Sequence, residues 1–157
     1  MNQELRLIFE EDQSDRASGL LAERVPERDA DRRQRVRALI EAGGLAEPAD
    51  YYHAAMVFQH GVEPADFWRA HELALKAADM GDRTARWLAA AAYDRWLMNQ
   101  GRPQKYGTQY RAIAGAWALW DVDPETTDEE RSRWDVPPLA EAKRRATDLI
   151  GSEPSEK

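Results

Sequence analysis

Cysteine is missing from this chain altogether, which excludes disulfide frameworks, thiolate zinc sites and thiol catalysis. Long hydrophobic runs are missing too. The longest, Trp87 to Tyr93, is seven residues, against the roughly twenty that a membrane-spanning helix needs. Nor is there a stretch of excess positive charge. Residues 1–48 carry 11 acids and 8 bases, residues 49–109 carry 7 of each, and residues 110–157 carry 11 and 7. A chain that neutralises several phosphates needs a basic excess somewhere, so nucleic acid is disfavoured as a partner. The opening Met1-Asn2-Gln3-Glu4-Leu5-Arg6 has neither the basic segment nor the apolar stretch of a signal peptide, and a cytoplasmic location is the expectation. The length, 157 residues, suits about one domain. That domain is expected over 1–150, with residues 151–157 as a frayed, disordered tail.

What is there is a chain cut by glycine and proline into pieces of helical length. Leu5, Ile8 and Phe9 recur at helical spacing from about Gln3 to Arg16, and Gly19 stops the piece. After Pro26, a helix from Glu27 to Ala42 places Val36, Leu39 and Ile40 on one stripe and ends at Gly43-Gly44. Its other face holds Arg28, Arg32, Arg33, Arg35 and Arg37 interleaved with acids, which reads as a solvated face. Asp50, after Pro48, reads as the cap of a third helix running to His60 before Gly61. Pro64 opens a fourth, ending at Met80, and Gly81-Asp82 a fifth from Thr84 to Gln100. That fifth helix has no polar face between Trp87 and Tyr93, so it is expected at the centre of the bundle. Over residues 106–122 a short two-stranded hairpin turning near Ala112 to Gly115 is favoured over a helical stripe of Tyr110, Ile113, Ala114 and Trp117. Thr127 and Glu130 form a capping-box pattern for a helix to Trp134, and a last helix runs from Leu139 to Ile150. The expected fold is mainly α, a compact bundle of about six or seven helices with the hairpin attached. A helical-repeat array is disfavoured, because the pair from Glu63 to Gly101 has no good second copy.

Polar residues in apolar surroundings locate the chemistry. Asp94 and Arg95 follow the apolar run with no clean solvent face, and burying an unpaired charge is costly, so each needs a fixed partner. A buried ion-pair network is the bland explanation. His60 closes the third helix, whose carbonyl end favours a protonated imidazole titrating near or above neutrality. Asp12 and Arg16 share a helix face and can pair, although an exposed pair contributes little. The loop Gln104-Lys105-Tyr106-Gly107-Thr108-Gln109 gathers two carboxamides, a phenol and a hydroxyl around a glycine, the usual layout of a small-molecule site.

Gln59-His60, Asp94-Arg95 and Gly101-x-Pro103-Gln104-x-Tyr106-Gly107-Thr108-Gln109, in that order, resemble an uncharacterised, mainly bacterial family catalogued as a domain of unknown function. Asp12-Gln13-x-x-Arg16 is similar to that family's opening motif, and Arg131 to Leu139 to its closing arginine-and-proline segment. The likeness spans roughly residues 5 to 145. It implies one shared site drawn from several helices and supplies no activity.

Chemistry then assigns the roles. His60 is the natural general acid or base, with Asp94 orienting it or acting as a second base. Tyr106 completes the candidate catalytic set. Arg16 and Arg95 can hold a carboxylate or phosphate, while Gln13, Gln104, Thr108 and Gln109 orient the substrate. No covalent nucleophile is convincing, because Thr108 has no evident base beside it. No cofactor is called for. Metal is disfavoured, since His53 and His60 stand about 10 Å apart along their helix and His71 adds no paired ligand spacing. The expected function is acid–base or hydrolytic catalysis on a small polar or anionic metabolite. The competing expectation is a helical adaptor docking through its Trp-rich later half, at Trp117, Trp120 and Trp134, and homodimer formation is compatible with either.

Overall fold

A computed structural model describes residues 1–18 and 25–148. Gly19, the expected stop of the first helix, and the expected tail over 151–157 lie outside the described residues, as does the end of the last helix at 149–150. Within them the chain is mainly helical: α1 Gln3–Ser18, α2 Val25–Glu41, α3 Pro48–Gln59, α4 Pro64–Asp79, α5 Thr84–Met98, β1 Tyr110–Ile113, β2 Ala116–Leu119, α6 Asp128–Arg133 and α7 Leu139–Asp148.

The starts of α3 and α4 use the same four residues, Glu-Pro-Ala-Asp. Proline sits in the first turn, where its missing N–H costs nothing, and the aspartate is the third helical residue. Asp50 is therefore not the cap expected for it. Its carboxylate reaches back instead to accept from the amides of Glu47 and Ala46, and from that of Asn2, tying the start of α1 to α3. Asp66 does the same with the amides of Val62 and Glu63. This turn is so tight that a Cβ on Gly61 would lie 2.3 Å from the Asp66 Cβ. Glycine follows His60 because nothing larger fits there.

The core joins five helices: Leu5 and Ile8 of α1, Val36 of α2, Ala54, Val57 and Phe58 of α3, Ala70 and Leu73 of α4, and Leu88 and Ala92 of α5. The helix at the centre is α3, which packs against α1, α2, α4 and α5. The expected centre, α5, packs chiefly on α4, and its apolar run is not buried all round: Trp87 is 42% exposed. Small side chains explain this arrangement, because Ala89 to Ala92 let α4 and the following loop approach closely, while the bulk of Trp87 stays outside.

The hairpin pairs Tyr110 with Leu119 and Ile113 with Ala116 around Ala114-Gly115, both at positive φ, as a two-residue turn matching strand twist requires. It lies against α7. Thr127 and Glu130 exchange capping hydrogen bonds at the start of α6. Among the described residues no helix is long and apolar enough to cross a membrane.

Candidate functional site

The residues that converge come first from α1 and α3. Asp12 is 1% exposed and offers both carboxylate oxygens to Nδ1 of His60, each at 3.1 Å. Gln13 Nε2 donates to the same carboxylate at 2.8 Å, and Arg16 Nη1 at 2.9 Å. The Asp12–Arg16 pair is thus not the exposed one expected. α2 lies over it, and Arg16 Nη2 also binds Asp29 at 2.8 Å. Arg32, 1% exposed, spans Asp29 and Asp15, and Arg28 binds Asp15 from the rim. Arg33 donates to the carbonyl oxygen of His60, fixing the end of α3. The arginine face of α2 is accordingly only partly solvated: Arg28, Arg35 and Arg37 reach solvent, whereas Arg32 and Arg33 are buried against acids of α1, α2 and α4.

Burial dominates the titration of His60. It lowers the His60 pKa, Arg16 and Arg95 push the same way, and Asp12 only partly opposes them. The imidazole is thereby neutral at neutral pH, not the cation expected from its helix-end position, because desolvation outweighs the helix dipole. Burial raises the Asp12 carboxyl, but His60, Arg16 and Gln13 together carry it below its usual value. A neutral imidazole facing a carboxylate must carry its proton on Nδ1. Its Nε2 is then a free base, and among the described residues it has no hydrogen-bond partner.

Arg95 links α5 to this cluster. Its Nη1 donates to the carbonyl of Gln59 at 2.8 Å, its Nε to Oε1 of Gln109 at 3.0 Å, and its guanidinium lies over the Phe67 ring. Gln109 in turn donates to Oγ1 of Thr108 at 3.1 Å. Arg16, Gln13, Arg95 and Gln109 are thus the expected binding residues that surround or brace the His60 position.

The remaining expected site residues stand elsewhere. Asp94, fully buried, accepts from the amides of Lys105, Tyr106, Gly107 and Thr108 and from the Thr108 hydroxyl, at 2.8–3.1 Å. Neither an ion pair nor a contact to His60 satisfies it: the partners are the loop's own backbone. Gly107, at φ +95°, supplies the turn that aims these amides inward. Burial raises the Asp94 carboxyl and the donated hydrogen bonds pull it back. Gln104, also fully buried, accepts from the Gln109 amide and donates to the carbonyls of Gln109 and Trp120, locking the loop to itself and to the residue just after β2. The Thr108 hydroxyl is consumed between Asp94 and Gln109. Tyr106 packs with Ala90, Val136, Tyr93 and Trp134 in a second apolar cluster, and burial, reinforced by Asp94, pushes its phenol up to about 12. Arg131, 2% exposed, clamps this loop from behind through the carbonyls of Tyr106 and Thr126. The loop is scaffolding, joined to the α3 end through Gln109, which holds Arg95.

Asp12 was the site residue least evident from the sequence; its signal was the four-residue spacing to Arg16. A cavity of about 310 Å³ between Ile40, Leu45, Tyr51 and Leu73 stands apart from the cluster, and one of about 220 Å³ lies at its α2 rim beside Glu11, Arg28 and Arg32. His71 serves the α4–α5 contact, with Nδ1 2.8 Å from the Ala89 carbonyl. Among the described residues, no three His, Asp or Glu side chains gather closely enough to hold a metal ion. Comparison with protein-family models, curated proteins and solved structures finds no match to this chain.

Proposed function

We propose that this chain is a small acid–base catalyst acting on a polar, anionic metabolite, with His60 as general base and Asp12 as its orienting partner. The observation that carries the reading is the His60–Asp12 contact: a buried carboxylate grips Nδ1 with both oxygens and leaves Nε2 free. Burial keeps the ring neutral at physiological pH, the state in which Nε2 can accept a proton from a substrate or from water. Arg95, which no carboxylate pairs among the described residues, supplies positive charge beside it, suited to an anionic group. In this reading the protein works without a cofactor in a bacterial cytoplasm. It belongs to the uncharacterised family that its Gln-His, Asp-Arg and Tyr-Gly-Thr-Gln motifs resemble.

A second reading, a helical adaptor, draws on two exposed indoles. Trp68 and Trp87 are 39% and 42% exposed, whereas Trp117, Trp120 and Trp134, the expected docking residues, are half-buried. The two are tested together by incubating wild-type protein and His60→Asn with a bacterial metabolite extract and following it by mass spectrometry. Catalysis predicts a metabolite consumed by the wild type and untouched by a folded His60→Asn. If both proteins leave the extract unchanged, or both alter it alike, the adaptor reading replaces it.

A further inference from the structure

Charge in the α1–α2 network is balanced: Asp12, Asp15 and Asp29 face Arg16, Arg28 and Arg32. Arg95 stands outside that balance. Its two hydrogen bonds go to a backbone carbonyl and a carboxamide, and among the described residues no carboxylate lies within 4.0 Å of it. A guanidinium has five N–H donors, so Nη2 and one Nη1 hydrogen are unclaimed by the described residues. Burial and the nearby Arg16 charge both act against its ionised form. Arg95 is partly buried, and a guanidinium partly withdrawn from water without a counter-ion is left under-compensated, with its open Nη2 edge available to an anion. Beside it lies a second unmet demand: Oε1 of Gln59, the residue whose carbonyl Arg95 holds, is buried with no hydrogen-bond partner.

We infer that Arg95 is the receptor for the carboxylate of a small organic acid, held end-on by Nη1 and Nη2, and that Gln59 accepts from a hydroxyl or amide N–H of the same molecule. One negative charge matches the one cation beside His60 that, among the described residues, no carboxylate compensates. A phosphate dianion would exceed it in the company of Asp12 and Asp29, and planar carboxylates fit the guanidinium fork. The inference deepens the acid–base reading and rests on it, because it places a hydroxy- or amido-carboxylic acid next to Nε2 of His60.

The test is a titration of full-length protein, labelled with ¹⁵N in its arginine side chains, with sodium lactate, sodium acetate, inorganic phosphate or sodium chloride, following the Arg95 Nε–H resonance. Lactate is expected to give a saturable shift with roughly millimolar affinity, acetate a weaker one, and phosphate and chloride none that saturates. Arg95→Lys keeps the charge and loses the fork, and is expected to weaken lactate about tenfold. The assignment falls if neither carboxylate saturates the wild type, if phosphate binds more tightly than lactate, or if a folded Arg95→Lys binds lactate unchanged. The wild-type titration decides even where the variant does not fold. Failure here with His60-dependent turnover intact removes the carboxylate assignment alone, whereas saturable lactate binding without such turnover upholds it and removes catalysis alone.

Discussion

Asp94 shows how far a residue's chemistry depends on what reaches it. As a fully buried carboxylate it has the marks of a catalytic group, but four backbone amides and a hydroxyl occupy its oxygens. The consequence is a stability effect. Asp94→Asn keeps the shape but turns an amide group toward donors, and it should destabilise the fold by about 3 kcal/mol in urea unfolding. A folded Asp94→Asn of unchanged stability would contradict that role. His60 shows the reverse. Its position at a helix end suggested a cap, but its ring turns to a carboxylate 48 residues earlier in the chain. Sequence spacing makes local pairs such as Asp12 and Arg16 visible and leaves such distant pairs invisible. The requirement that Asp94 and Arg95 have partners followed from burial energetics alone; the kind of partner, loop amides for one and neutral carbonyls for the other, did not.

At the scale of elements, what was legible was local. Proline, glycine and the Thr127–Glu130 pair mark helix ends because caps are made within a few residues, and the boundaries fall close to where those residues put them. The twice-used Glu-Pro-Ala-Asp is a local signal of the same kind, four residues that start a helix and repeat without the helices themselves repeating. Which helix sits at the centre was not legible, because an apolar run shows that a segment is buried without showing among how many neighbours. The tight turn from α3 into α4 gives a direct check. Gly61→Ala would drive a methyl into the Asp66 side chain, so this small change should cost about 1–3 kcal/mol. It should also disturb His60, one residue away, and a thermal melt matching the wild type would mean that the turn is looser than the contact indicates.

Across the whole molecule, His53, His60 and His71 share one feature: burial lowers the pKa of each below the usual 6.5. His53 stacks on Phe9, and His71 lies among Trp68 and Tyr93. A histidine whose folded pKa is depressed binds protons more readily when unfolded, so its stabilising effect is complete above the unfolded value and is lost as the pH falls through and below it. The urea midpoint should therefore drop as the pH is lowered below about 6.5, well before the carboxylates titrate. A midpoint constant down to the carboxylate range would show that the histidines are more open to water than their packing implies. The net charge of -7 belongs to the solvated surface, whereas the junction of α1, α3 and α5, with Arg95 as its cation without a carboxylate partner among the described residues, carries the candidate chemistry. Catalysis by His60 requires a neutral base, protonated on Nδ1 toward Asp12 and free at Nε2, and ¹⁵N NMR of the imidazole nitrogens across a pH titration reads both properties at once. The expected result is a single Nδ1–H tautomer at neutral pH, a pKa below 6.5, and a further fall in that pKa in Asp12→Asn. An imidazolium at neutral pH, or a proton resident on Nε2, would contradict it.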